Sequence, residues 1–221
     1  MNRILCVFAK PPRPGTAKTR LAADLGDHPA ARMAEAMLMD VIAHCEASQR
    51  ATRLVMAYTH EPEWFRMRLD ERWEYHHQEG ANLGERMVNA ANALGDADET
   101  VVIVGMDSPQ VPTRIMDSAF EALKSHDAVF GPCEDGGYYL LGARPPWPSN
   151  ALEGVSWSTE SALDDSIAAL QSHGIEAELL PSAYDVDEIA DLRRLVGQMK
   201  ADPNHDLPHL HKALATGEFS L

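Results

Sequence analysis

The chain has 221 residues, 45% of them hydrophobic, enough to bury a sizeable core in one large domain. Its 19 Lys and Arg against 34 Asp and Glu give a formal net charge of -15, which excludes a general grip on DNA, RNA or an anionic membrane surface. No apolar stretch approaches the ~20 residues of a membrane helix, and a cytoplasmic protein is expected. The cysteines Cys6, Cys45 and Cys133 are far apart and form no C-x-x-C pair, so they read as reduced, partly buried thiols.

The first apolar run, Ile4 to Ala9, reads as a buried strand, and helical periodicity begins beyond Arg20. Between them, Lys10 to Arg20 holds four basic side chains and no acidic one. At the chain's average frequency eleven residues would hold about one Lys or Arg, so this strand-to-helix loop is expected to face an anion. It is not a P-loop, because Pro12 and Ala17 stand where that motif needs glycine. Gly15 allows close backbone approach, while Lys18 and Arg20 suit phosphate oxygens, the lysine as a point charge and the arginine through a planar fork. A solvated basic loop is the alternative.

A helix over Pro29 to Ala47 and a strand over Leu54 to Tyr58 follow. Gly80 to Arg86 is a loop leading into a helix over Leu83 to Leu94, where Asn82 either reads a base edge or caps the helix. The strand Val101 to Val104 then runs into Gly105-Met106-Asp107-Ser108-Pro109, which sets the Asp107 carboxylate at the strand's carboxyl edge. One or two carboxylates suffice to hold Mg²⁺ against a diphosphate. The competing reading makes Asp107 a turn former, with Thr113 capping a helix over Thr113 to Lys124.

Beyond the strand Ala128 to Phe130, Asp135-Gly136-Gly137 precedes an aromatic strand from Tyr138 to Leu141, a pattern that suits either close ligand approach or a hairpin turn. Arg144 to Asn150 reads as a long surface loop. Trp157-Ser158-Thr159 opens a helix over Ser161 to Ser172, with Ser158 or Thr159 as cap and Trp157 as core or cleft wall. After the strand Ala177 to Leu180, Asp185 and Asp187 are alternate residues of an extended segment, so their carboxylates could converge on one cation; either could instead cap the helix over Ile189 to Met199. The pair Asp107 and Asp187 is expected to form two halves of one metal site. Ala201 to Leu221 reads as a short helix and tail, whose His205, His209 and His211 have a spacing that could bind a metal adventitiously but read better as a solvated tail. Strands alternating with helices imply a sheet covered on both faces.

Together, Phe8 to Leu21, Ala81 to Met87, Gly105 to Pro109, Gly131 to Gly142, Trp157 to Thr159 and Asp185 to Asp187 resemble, in this order, a bacterial family of nucleotide-diphospho-sugar transferase-like proteins. Segments of the chain also resemble 2-phospho-L-lactate guanylyltransferase and molybdenum cofactor guanylyltransferase. The resemblance implies a three-layer α/β/α, Rossmann-like mixed sheet of the glycosyltransferase-A fold, as one domain over 1–221 with 201–221 a helical tail. It implies a transferase using Mg²⁺ or Mn²⁺ and a nucleoside triphosphate or nucleotide-sugar, with a small-molecule acceptor and neither nucleic acid nor membrane; a homodimer stays open. Catalysis falls to Lys18, Arg20 and Asp107, nucleotide binding to Lys10, Gly15, Thr16, Asn82, Gly84 and Arg86, the acceptor to Asp135, Gly136, Gly137 and Tyr138, and the metal to Asp107 and Asp187. The segment Asp107-Ser108-Pro109 lacks the second acid of the glycosyltransferase D-x-D, which tilts the expectation to nucleotidyl transfer, with glycosyl transfer and a non-catalytic nucleotide-binding module as alternatives.

Overall fold

The structure is a computed structural model that describes residues 2–202 and 206–216. In chain order the elements are β1 (Arg3–Ala9), α1 (Thr19–Leu25), α2 (Asp27–Glu46), β2 (Arg53–Tyr58), α3 (Pro62–Arg66), β3 (Trp73–His77), α4 (Leu83–Leu94) and β4 (Thr100–Val104). They continue with α5 (Thr113–Ala122), β5 (Ala128–Pro132), β6 (Tyr138–Ala143), α6 (Ala162–Ser172), β7 (Ala177–Leu179), α7 (Ile189–Ala201) and α8 (Pro208–Leu214).

The continuous apolar runs form strands covered on both faces. Along β1, Leu5, Val7 and Ala9 join one core cluster while Ile4 and Cys6 join another, and along β4 Val102 and Val104 separate in the same way from Val101 and Ile103. The first cluster is closed by α1, α2, α3, α5, α7 and α8, the second by α4, α6 and the segment before α6. The seven strands lie in the order β3-β2-β1-β4-β6-β5-β7, with β6 antiparallel to both neighbours and every other pairing parallel. The chain is thus the expected three-layer α/β/α mixed sheet. Moving from β1 to β2 and β3, then crossing back to β4 on the other flank of β1, places a topological switch between β1 and β4. Ligands of open α/β sheets bind outside the carboxyl ends of the strands at such a point.

Several local expectations are corrected. The short α3 and the edge strand β3 were not read from the sequence. Arg144 to Asn150 is not simply a surface loop: Trp147 is buried in the second core cluster, and its backbone exchanges two hydrogen bonds with the Asn92 side chain, both 2.8 Å. Nor is the chain end a solvated tail throughout. The buried Asp40 carboxylate of α2 accepts the backbone N–H groups of His209 and Leu210 at 2.9 Å and docks α8, whose Leu210 is buried, against α2. His209 is half-buried and His211 exposed, and His205 lies outside the described residues.

Candidate active site

The loop after β1 turns tightly, with the N–H groups of Thr16 and Ala17 both donating to the Arg13 carbonyl and Gly15 at φ 79°. Ala17 is buried, and Lys18 then takes the left-handed conformation, φ 48° and ψ 54°, just before α1. This conformation is uncommon for a residue with a side chain. Its ammonium lies at 2.6 Å from Asp187 Oδ1 and pairs as closely with Asp107 Oδ1. The lysine side chain is only 5% exposed, whereas the two carboxylates are 43% and 45% exposed. Burial alone would lower the Lys18 pKa; attraction and hydrogen bonds from the two carboxylates outweigh it and leave the value raised.

Asp107 follows β4 and Asp187 precedes α7, and one backbone bond fixes the two loops together: Val186 N–H donates to the Asp107 carbonyl at 2.8 Å. Asp107 and Asp187, expected to share a metal ion, are therefore brought together around the Lys18 ammonium. Asp185 does not share it. Its carboxylate accepts from Ser108 Oγ at 2.5 Å and from Cys133 Sγ at 3.2 Å, tying the loops after β4 and β5 together. Burial raises the Asp185 pKa, and nearby Asp107 and Asp135 add to the rise, against the Ser108 hydrogen bond. Neither Asp185 nor Asp187 caps α7, because Glu188 is the residue at that position. Thr113 likewise does not cap α5; it is the first helical residue, and its hydroxyl donates to the His44 carbonyl at 3.0 Å.

The two arginines of the first loop are also met by acids. Arg13 pairs with Glu61, and Arg20, 73% exposed, stands 3.6 Å from Glu188. Lys10 is exposed at the end of β1. The local excess of positive charge is answered by carboxylates from distant loops.

On the other side of the crevice the motifs meet by packing. Asn82 takes its capping role: its Oδ1 accepts Glu85 N–H at 2.9 Å, while Arg86 Nε donates to the Gly80 carbonyl at 3.1 Å. A Cβ on Gly84 would lie 2.6 Å from Trp157 Cζ2, and the Trp157 ring is edge-on to Tyr138 at 6.4 Å between centroids. Tyr138 also meets Phe130, with centroids 4.8 Å apart; burial holds its hydroxyl pKa well above the ordinary value. Asp135 Oδ1 accepts Gly137 N–H at 2.9 Å within the β5–β6 hairpin turn. Gly136, at φ 86°, lies against the Glu160 backbone so closely that a side chain has no room. Neither Ser158 nor Thr159 caps α6; Ser158 is left-handed at φ 63°, and Thr159 Oγ1 donates to the Ser156 carbonyl at 2.6 Å.

The structure thus gathers Lys18, Asp107 and Asp187 at the switch point, with Arg20 beside Glu188. It joins Gly84, Tyr138 and Gly136 through Trp157 and its neighbour segment. The residues sequence reasoning missed are Ser108, Cys133 and Glu188, whose only sequence signal is adjacency to Asp107, Asp135 and Asp187. A cavity of about 540 Å³ lined by Arg50, Arg114 and Glu121 lies instead toward the amino edge of the sheet, and its Arg50 and Glu121 pair with each other at 3.2 Å.

A family model described as "Uncharacterized protein conserved in bacteria (DUF2064)" matches residues 41–159. The chain belongs to this family. The matched span of this DUF2064 protein contains Asn82 to Arg86, Asp107 and Asp135 to Tyr138, while Lys18 and Asp187 reach the site from outside it. No curated protein gives a match. Among solved structures, a Desulfovibrio desulfuricans G20 protein provisionally named a nucleotide-diphospho-sugar transferase superposes with a TM-score of 0.88 at 28% identity, covering 99% of this chain and 96% of that one. CMP:2-keto-3-deoxy-manno-octonic acid synthetase, in complex with CTP, gives 0.58 at 12% identity over 91% and 99%. Rv0371c of Mycobacterium tuberculosis H37Rv, in complex with manganese, gives 0.50 at 14% identity over 89% and 99%. The last two share the fold alone, and the DUF2064 chain has the nucleotide-diphospho-sugar transferase fold that its motifs implied.

Proposed function

We propose that this protein is a metal-dependent nucleotidyltransferase that moves a nucleoside monophosphate from a triphosphate to a small phosphorylated or hydroxyl acceptor. The observation that carries this reading is the convergence of Asp107 and Asp187 on one cation at the switch point between β1 and β4. Two half-exposed carboxylate oxygens suit Mg²⁺ or Mn²⁺, which take hard oxygen donors and keep positions for water and phosphate. When bound, such an ion neutralises phosphate charge that accumulates as pyrophosphate leaves. The folds that bind CTP and manganese in the two distant structures support the same site chemistry.

In this reading Lys18 and Arg20 stabilise the phosphate charge, with Lys10, Gly15 and Thr16 lining the phosphate side. Asn82, Gly84 and Arg86 shape the wall beside the base by holding the start of α4. Asp135, Gly136, Gly137 and Tyr138 form the rigid turn on the acceptor side. An acceptor oxygen attacks the α-phosphorus, the bond to the bridging oxygen breaks, and pyrophosphate departs with that electron pair. A hydroxyl acceptor releases its proton to solvent.

A second reading, glycosyl transfer from a nucleotide-sugar, is favoured by the name of the 28% identical Desulfovibrio structure. Calorimetric titration with ATP, CTP, GTP and UTP, and with UDP-glucose and GDP-mannose, with and without Mg²⁺, separates the two. Triphosphate binding that needs Mg²⁺ and disappears in Asp107→Ala supports nucleotidyl transfer. Preference for a nucleotide-sugar supports the second reading, and no binding of either contradicts both.

A further inference from the structure

We propose that the Lys18 ammonium is a built-in placeholder for the divalent cation, seated between Asp107 and Asp187 until a triphosphate draws it out, so that metal and nucleotide each bind more tightly in the presence of the other. The inference rests on the metal-nucleotide reading above and adds to it an order of events and a device that enforces it.

Four observations carry it. The ammonium reaches Oδ1 of both carboxylates, the position from which one cation contacts both. Lys18 is nearly buried at 5% exposure although it belongs to a loop whose Arg13, Pro14, Gly15 and Thr16 are all exposed. Its backbone is left-handed at φ 48°, a conformation that costs free energy for any residue but glycine and persists where surrounding contacts overdetermine it. Here those contacts are the two ion pairs. Fourth, the two arginines of the loop are turned to other acids, Arg13 to Glu61 and Arg20 to Glu188, and leave this seat to Lys18.

Charge balance gives the coupling its sign. With Lys18 seated, the trio retains one excess negative charge; with Lys18 withdrawn, the two carboxylates match a divalent ion. A triphosphate offers the departing ammonium a new anionic partner, so each ligand lowers the cost of admitting the other, and the coupling is reciprocal. If Lys18 leaves its seat about one-tenth of the time, the apparent affinity for metal alone is about tenfold below the intrinsic one.

The test is a Mn²⁺ titration, read by the electron paramagnetic resonance of the free ion, on wild type, Lys18→Met and Arg20→Met. Each is titrated alone and with CTP, GTP, UTP and ATP in turn, after circular dichroism has confirmed the fold. We expect Lys18→Met to bind Mn²⁺ alone about tenfold tighter than wild type, Arg20→Met to match wild type, and a triphosphate to tighten Mn²⁺ binding in wild type but much less in Lys18→Met. Equal gains in Lys18→Met and Arg20→Met would reduce the effect to removal of a nearby charge and overturn the inference. Unchanged or weaker Mn²⁺ binding by Lys18→Met, with wild type still binding Mn²⁺ and triphosphate, would place the ion on the outer carboxylate oxygens with Lys18 still seated; this overturns the placeholder and spares the proposed function. Failure of every protein to bind Mn²⁺ under any condition would overturn both.

Discussion

The two sides of the crevice are held by different forces. On the side of β1 and β4, Lys18, Arg13 and Arg20 are met by Asp107, Asp187, Glu61 and Glu188, so the loop is set by ion pairs between distant segments. On the side of α4 and β6, Gly84 is pressed on Trp157, Tyr138 on Phe130 and Trp157, and Gly136 on the Glu160 backbone. Ion pairs exchange partners, and their strength changes with pH and salt; close packing against backbone does not. The charged side is accordingly the one able to rearrange around an ionic ligand, and the packed side is the fixed wall it works against.

That contrast is broken most severely at Gly136. An alanine there combines a positive φ of 86° with a collision against the Glu160 main chain, and Gly136→Ala is expected to cost about 3 kcal/mol in urea-induced unfolding. Gly84→Ala has an ordinary φ and its closest collision is with a side chain, Trp157, rather than main chain, so the cost falls to about 2 kcal/mol. Combining it with Trp157→Leu should recover part of that loss; no recovery would mean that Trp157 is not what limits the position.

On the charged side the effects are smaller and depend on solution conditions. The folded-state pKa of Lys18 is raised, so its contribution to stability is complete below the unfolded value of about 10.4 and fades as pH climbs through the folded one. Melting temperatures from pH 8 to 11.5 should therefore show wild type losing its advantage over Lys18→Met only in the alkaline limb. An advantage that vanishes below pH 9 would contradict the pairing. The exposed Arg13–Glu61 pair should matter least, with Arg13→Ala leaving the melting temperature unchanged in 1 M salt.

The same contrast governs what could be read in the sequence. The β1 and β4 runs are apolar on both faces and announce a covered sheet, whereas Trp73-Glu74-Tyr75-His76-His77 is an edge strand carrying polar and titratable groups, and its period is lost. Asp107 was legible as a carboxylate at a strand end because the apolar segment before it fixes where β4 stops, and Asp187 as one of two alternate carboxylates in the extended segment before α7. That their shared cation is Lys18 was not legible, since ion pairing between distant loops leaves no local pattern. The basic loop pointed to an anion, and the anions it meets within the chain are carboxylates. On the packed side the glycines were visible but their reasons were not: Gly84 and Gly136 read as ligand-approach or turn residues, and the neighbours that require them, Trp157 and Glu160, lie in another motif.

The most direct test of the account is Mn²⁺ binding in the presence of a saturating triphosphate by wild type, Asp107→Asn, Asp187→Asn and Asp185→Asn. The account predicts binding that is lost in the first two variants and kept in Asp185→Asn, whose carboxylate is engaged by Ser108 and Cys133. Binding that survives in Asp107→Asn and Asp187→Asn but is lost in Asp185→Asn would contradict it.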